Sequence, residues 1–323
     1  EKFLVTGAFG CLGAWTLKRL VTRGFDVVGS DLPGAPVRPR LIMDPEELGS
    51  IDWVELDVTD RETLYEVIRL KRITRIVHLA ALQVPFCRAD PLRGAQVNVV
   101  GSINMLEAAR KFSDQIRGLA YASSVAVFGP PQRYGDGPLD EAERRLPETL
   151  YGVYKKSNEE SAAVYWADWK VASVGLRPSV VYGVGRDQGL TSDLARAILA
   201  AAAQRPFRIQ FDGSLALQYA ADVAEAFIGS ALASPEGAVV CNLRNDVVTV
   251  SEFVDALLQI YPNARTDWNR GNILPFPSNL DDSRLQRLLG GFRHTPMVDG
   301  VAETGRLFER LLAEGRLAPE PTT

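Results

Sequence analysis

Six short apolar runs lie within the first 178 residues, and segments of helical spacing separate most of them. The runs are KFLVTG (2–7), DVVGSD (26–31), WVELDV (53–58), ITRIVHLAA (73–81), IRGLAYASS (116–124) and VASVGLRP (171–178). Between them, residues 11–23 carry Leu17, Leu20 and Val21 at helical spacing, and Gly24 stops that pattern. Further helical patterns cover 61–70, 91–112 and 149–169. Strands separated by helices pair in parallel through right-handed crossovers, so the alternation predicts an α/β chain with a doubly wound parallel sheet. After residue 178 Pro and Gly become frequent and the alternation loosens. This predicts a smaller, discontinuous lobe from about 179–214 plus 262–323. Residues 1–178 plus about 215–261 would form the main domain, with YAADVAEAFIGSAL and GAVVCNLR returning to its sheet.

Composition narrows the function. Apolar residues make up 46% of the 323, enough for a large core, and the net charge of −4 gives no basic excess for nucleic acid. The three cysteines, Cys11, Cys87 and Cys241, are far apart, and two histidines exclude a multi-His centre, so neither disulfides nor a metal site is expected. No signal-peptide pattern opens the chain, and no apolar run approaches the ~20 residues that span a bilayer. The expectation is a cytoplasmic protein without a membrane partner. The chain opens at Glu1 rather than Met, which leaves open what precedes it.

VTGAFGCLG places Gly7, Gly10 and Gly13 between a strand and a helix. Glycines allow a tight turn and close approach to a pyrophosphate, and the helix N-terminus offers free N–H donors. The spacing is GxxGxxG rather than GxGxxG. Asp31 ends the second run and suits the two adenosine ribose hydroxyls. It would repel a 2′-phosphate, which favours NAD over NADP. Asp57, ending the third run, suits the adenine amine, or it serves as a turn or cap aspartate, a role that Asp60 also fits. The small residues Ala80 and Ala81 leave room for a cofactor across the strand ends, and His78 reads as a packed strand residue.

Tyr151 and Lys155 are i and i+4 on one helix face, and of the nine tyrosines only Tyr151 has a lysine at that spacing. A nearby ammonium, with the nicotinamide cation, would lower the tyrosine's pKa from its usual ~10 and make it a general base. Ser124, at the carboxyl end of the fifth run, supplies a hydroxyl for the reacting oxygen, while Ser123 points into packing.

Together TGAFGCLG, SDLP, LDVTD, HLAA, NVVGSINMLEAA, YASSVAVFG, YGVYK and LRPSVVYG resemble the extended short-chain dehydrogenases/reductases, the family of NAD-dependent epimerases and dehydratases. The likeness runs in order from about residue 2 to 183. It implies a Rossmann-type NAD-binding domain and Ser124, Tyr151 and Lys155 as the catalytic group. It implies cofactor contacts at Gly7, Phe9, Gly10, Cys11, Gly13, Asp31, Leu32, Asp57, Val58, Leu79, Ala80, Ala81, Asn98, Tyr151, Lys155 and Pro178. It also implies a homodimer packed through helices 91–112 and 150–169.

The departures bear on the substrate. Dehydratases of the family carry an Asp-Glu pair where this chain has Val125 and Ala126, which removes the acid and base of an elimination. Sugar-nucleotide binders read LRxxNVYG, and Val180 stands in place of that Asn. They also tend to carry an Arg in the stretch that reads SLALQYAADV here, where no Arg or Lys occurs, although Arg270 could replace it. Gln83, Ser124, Arg186 and Gln188 remain as candidate substrate contacts. The expectation is an NAD-dependent oxidoreductase acting on a small polyhydroxylated substrate: a sugar, a uronate or a hydroxy acid. The alternative is a sugar-nucleotide 4-epimerase that oxidises transiently. A cofactor sensor without catalysis fits less well, because all three catalytic residue types are present.

Overall fold

A computed structural model describes residues 1–233 and 235–318. Its strands are β1 (Lys2–Thr6), β2 (Asp26–Asp31), β3 (Asp52–Glu55), β4 (Arg75–His78), β5 (Gly118–Ala122), β6 (Ser173–Arg177), β7 (Val180–Tyr182), β8 (Phe207–Ile209), β9 (Ser214–Tyr219), β10 (Ala238–Asn242), β11 (Asp246–Thr249) and β12 (Thr266–Trp268). The helices are α1 (Cys11–Thr22), α2 (Val37–Ile42), α3 (Pro45–Gly49), α4 (Arg61–Lys71), α5 (Val84–Ala89), α6 (Pro91–Ala95), α7 (Gly101–Lys111), α8 (Leu150–Trp169), α9 (Asp193–Ala202), α10 (Ala220–Leu232), α11 (Val250–Ile260), α12 (Ser283–Leu289) and α13 (Met297–Ala313).

All six expected runs are strands of one sheet, ordered β10-β6-β5-β4-β1-β2-β3 and parallel throughout. The runs are apolar because helices cover both faces. Side chains alternate across the sheet: Phe3, Val5 and Val77 join Leu17, Leu20 and Phe227 on one side, and Leu4 and Ile76 join Leu64, Ile68 and Met105 on the other. The chain winds outward from β1 to β2 and β3, then crosses back to β4. The strand order reverses between β1 and β4, and the crevice beyond their carboxyl ends is where such sheets bind ligands.

The expected helix 91–112 is helical from Pro91 to Lys111 but carries a π-helical turn at Gln96–Val100. Inside that turn Asn98 clamps the Leu82 backbone, donating to its carbonyl and accepting from its N–H, each at 2.8 Å. The short helices α2 and α3 were not anticipated, although the Asp44–Glu47 capping box marks the start of α3.

Later segments divide their allegiance. α10 packs on α1, and β10 extends the sheet beside β6, as the return of these segments to the main sheet requires. β9 and β11 fall in the same span yet belong to a separate three-stranded sheet in which β9 lies between β11 and β7, and β8 pairs with β12. Only three residues separate β10 from β11. No crossover fits such a link, so β11 turns onto β9 antiparallel. No helix among the described residues is long and apolar enough to cross a membrane.

Candidate active site

A cavity of about 580 Å³ opens along the crevice, lined by the glycine loop, the carboxyl ends of β1, β2, β4 and β5, the start of α8 and the segment after β7. Gly7 has φ +68°, and a Cβ there would lie 2.7 Å from the Ala80 nitrogen. A Cβ at Gly13 would lie 2.1 Å from the Gly7 carbonyl oxygen. The loop, the end of β4 and α1 therefore meet backbone to backbone. Gly10 caps α1 without a side-chain bond, and the first turn holds no acid. The positive end of α1 thus meets the cavity unneutralised, which suits a pyrophosphate.

Asp31 sits at the cavity wall. Its Oδ2 accepts from Phe9 N–H and its Oδ1 from Leu32 N–H, each at 2.8 Å. It braces the glycine loop and keeps spare lone pairs for ribose hydroxyls. Asp57 also lines the cavity, accepting from Thr59 N–H and Oγ1 and pairing with Arg93 at 3.0 Å. Burial works against its charge, yet Thr59 and Arg93 hold its carboxyl below the usual range. Asp60, not Asp57, caps α4.

The other expected cofactor contacts line the cavity, Phe9, Cys11, Leu32, Val58, Leu79, Ala81 and Pro178 among them, with one exception. Asn98 is fully buried and does not reach it. Its amide is spent on Leu82, which shapes the cavity wall from behind.

Tyr151 is the second residue of α8, whose N-cap Thr149 accepts from Gly152 N–H. Ser124 lies in extended backbone just past β5, and its Oγ accepts from Ala126 N–H at 3.1 Å. Burial raises the Tyr151 pKa, while the Ser124 hydroxyl and the Arg186 charge pull it back. Lys155 was expected to supply that pull. Its Nζ instead lies 5.6 Å from the Tyr151 ring centroid and donates to the Ala122 carbonyl at 2.6 Å. Burial pushes the Lys155 pKa down to about 8. Ser123 points away, as expected, to Glu159 Oε1 at 2.5 Å. Glu159 also takes two bonds from buried Arg177, at 2.8 and 2.7 Å, and one from Arg145. Tyr151, Lys155 and Glu159 recur every four residues, so this network pins the face of α8 that carries them to β5 and β6.

Gln83, Arg186 and Gln188 line the other end of the cavity with Val125, Ala126, Val180, Thr191 and Phe276. Gln83 is the N-cap of α5 rather than a loop residue. Arg270 lies outside: it pairs with Asp267 and stacks on Trp268, with 4.3 Å from its guanidinium to the ring. In the stretch 214–223, Gln218 is buried, donating to the Leu243 carbonyl and accepting from Ser179 N–H. Arg38, Arg93, Thr191 and Phe276 escaped the sequence reading. Arg38 spans to Asp187 at 2.8 Å and donates to the Phe9 carbonyl at 3.0 Å, a meeting that no local pattern announces.

A parallel sheet with a glycine turn after β1 and an acid at the end of β2 defines a dinucleotide-binding α/β protein. The model of the NAD dependent epimerase/dehydratase family matches residues 3–240, and the chain belongs to that family. It is 28% identical over 324 residues to a UDP-glucose 4-epimerase of Mycolicibacterium smegmatis, covering 94% of this chain and 97% of that one. Matches to the first curated relatives, at 30–32% identity, span only about half of those proteins' length. Among solved structures, MoeE5 in complex with UDP-glucose and NAD is similar with TM-score 0.80 and 26% identity, covering 97% of this chain and all of that one. A partial consensus L-threonine 3-dehydrogenase shares the fold with TM-score 0.82 at 22% identity, covering 96% of this chain and 100% of that one.

Proposed function

We propose that this protein is an NAD-dependent oxidoreductase that removes hydride from a hydroxyl-bearing carbon of a small polyhydroxylated substrate. The convergence of Ser124, Tyr151 and Lys155 with the glycine loop on one cavity carries this reading. Bound NAD would supply the hydride acceptor. Gly7, Gly10 and Gly13 with the α1 N-terminus hold its pyrophosphate, and Asp31 holds the adenosine ribose. Lys155 binds the nicotinamide ribose. Ser124 donates to the reacting oxygen, and Tyr151, whose pKa burial raises in the protein alone and the nicotinamide cation would lower, takes the hydroxyl proton on its phenolate oxygen, a contribution of ~10²–10⁴ in rate.

The choice of a small substrate rests on what the far end lacks. Val180 replaces a polar contact, Gln218 is committed to backbone, and Arg270 faces away. A diphosphate carries about two charges and calls for paired cations. The proposed division into an NAD-binding domain, 1–178 plus about 215–261, and a substrate lobe, about 179–214 plus 262–323, puts Arg186 and Thr191 on the lobe. The exposed apolar residues Leu92, Val100, Val153 and Val164 on α6, the π turn and α8 support a homodimer through these helices, and a cytoplasmic setting fits the composition.

A second reading, a sugar-nucleotide 4-epimerase, is favoured by the near full-length match to the Mycolicibacterium enzyme. Nicotinamide absorbance with added NAD separates them. Free sugars, uronates and hydroxy acids should yield NADH. Isomerised UDP-sugar with no net NADH would establish the epimerase instead.

A further inference from the structure

Among the described residues seven charged side chains line the cavity, and four of them pair with one another. Arg38 pairs with Asp187 at 2.8 Å and Arg93 with Asp57 at 3.0 Å. Asp31 accepts from two backbone N–H groups, and Lys155 donates to the Ala122 carbonyl. Arg186 is the one guanidinium of this set without a carboxylate partner among the described residues. Among the described residues its one hydrogen bond runs from Nη2 to Thr191 Oγ1 at 3.2 Å, and its enclosed Nε has no partner. A guanidinium withdrawn from water without a carboxylate is costly, and a bound anion offsets that cost.

The surroundings of Arg186 indicate which anion. A Cβ built on Gly189, at φ +98°, would lie 2.1 Å from Gln83 Oε1 and 3.2 Å from Arg186 Nη2. Gln83, Arg186 and Thr191 therefore crowd one bare stretch of backbone. The Gln83 carboxamide has no hydrogen-bond partner of its own among the described residues. The pyrophosphate already has the α1 N-terminus, and the charge of Arg186 is felt both by Cys11 on the glycine loop and by Tyr151, which places the guanidinium between the loop and the Tyr151 hydroxyl. One uncommitted guanidinium suits a monoanion. An ammonium group would need a free acid here, and Asp57 and Asp187 are both paired.

We propose that Arg186 is a specificity residue that binds the carboxylate of a small hydroxy acid, with Gln83 donating a second bond, while Ser124 and Tyr151 receive the hydroxyl. This rests on the dehydrogenase reading above. In the balanced reaction the carbinol C–H bond breaks and its hydride goes to NAD. The hydroxyl proton goes to Tyr151, and the carbon becomes a carbonyl while the carboxylate is unchanged. A planar guanidinium reads a carboxylate through two parallel bonds, which an amide cannot accept in the same way.

The test uses purified protein with NAD and a panel of three- to six-carbon 2- and 3-hydroxy acids, each beside its primary amide. Free sugars and UDP-sugars complete the panel. Wild type, Arg186→Gln and Arg186→Lys are compared for NADH formation, for NAD affinity by calorimetry and for melting temperature. Acids should exceed their amides by about 100-fold or more in kcat/KM. Arg186→Gln should close that gap through KM, and Arg186→Lys should restore part of it. NAD affinity should stay within about threefold. An Arg186→Gln protein that melts normally but loses NAD affinity, with the acid preference kept, would assign Arg186 to the pyrophosphate and overturn the proposal. NADH formed equally from acids and amides, or from uncharged compounds alone, would overturn it while sparing the dehydrogenase. Isomerised UDP-sugar without NADH would sink the dehydrogenase reading and this inference together.

Discussion

The two ends of the cavity are built by different means. The end proposed for the cofactor is made of backbone: Gly7 against Ala80, Gly13 against Gly7, and Asp31 bonded to two N–H groups. The end proposed for the substrate is made of side chains on separated segments: Gln83 from the N-cap of α5, Arg186 and Thr191 from the stretch after β7, and Phe276 from beyond β12. A backbone site has little freedom to change its ligand. A side-chain site can exchange ligands with little cost to the fold, which is how one family accommodates different substrates.

Tyr151 lies where the two ends meet, so it gives the hardest test. Tyr151→Phe should lower kcat by ~10²–10⁴ and leave NAD affinity within about threefold, measured by NADH formation and calorimetry. Equal loss of both would place Tyr151 in the cofactor end alone. Glu159→Ala comes next. Arg177 and Glu159 are each 1% exposed, and stranding a buried guanidinium costs about 3–5 kcal/mol in urea unfolding. An unchanged midpoint would mean that the catalytic face of α8 is not anchored there.

Lys155 gives a pH signature. It releases its proton at about 8 when folded, against an ordinary 10.5. Between those values the unfolded chain binds more protons, so stability should rise with pH. The gain is roughly 3 kcal/mol, and the penalty is carried in full below the folded value. Lys155→Met should lack this rise, so the difference between the wild-type and variant stability–pH curves should climb between pH about 8 and 10.5, and a flat difference would contradict the buried charge. Asn98→Ala should cost ~1–3 kcal/mol of stability by stranding the Leu82 backbone groups. It should leave NAD affinity nearly unchanged, and a large loss would return Asn98 to the cofactor. Asp187→Asn should have the smallest effect. Its pair with Arg38 is half exposed, worth ~0–1 kcal/mol, so NAD affinity should fall by at most about fivefold.

The same contrast explains what the sequence disclosed. The glycine turn, Asp31, Ser124 and the Tyr151–Lys155 spacing are local patterns whose geometry follows from one strand end or one helix. β2 matches its expected bounds at Asp26–Asp31 because its apolar run is framed by Gly24 and by Pro33–Gly34, local marks that agree with its pairing to β1 and β3. Arg38 and Arg93 reach their partners 149 and 36 residues away, and their own neighbourhoods carry no mark of it. Asn98 was read as a cofactor contact because its motif sits beside the cofactor. Only the π turn shows that its amide faces inward. DVVT (246–249) carries no local mark of its partner, and the short link from β10 turns β11 onto β9 in the separate sheet.

The stretch 183–191 has a consequence for protein engineering. Gly183, Gly185 and Gly189 all stand at positive φ, and Trp15 holds the Val184 carbonyl at 3.0 Å. Its path is thus set by positions that tolerate little change. A combinatorial library meant to alter substrate range should leave those positions alone and randomise Arg186, Gln188 and Thr191, whose side chains line the cavity.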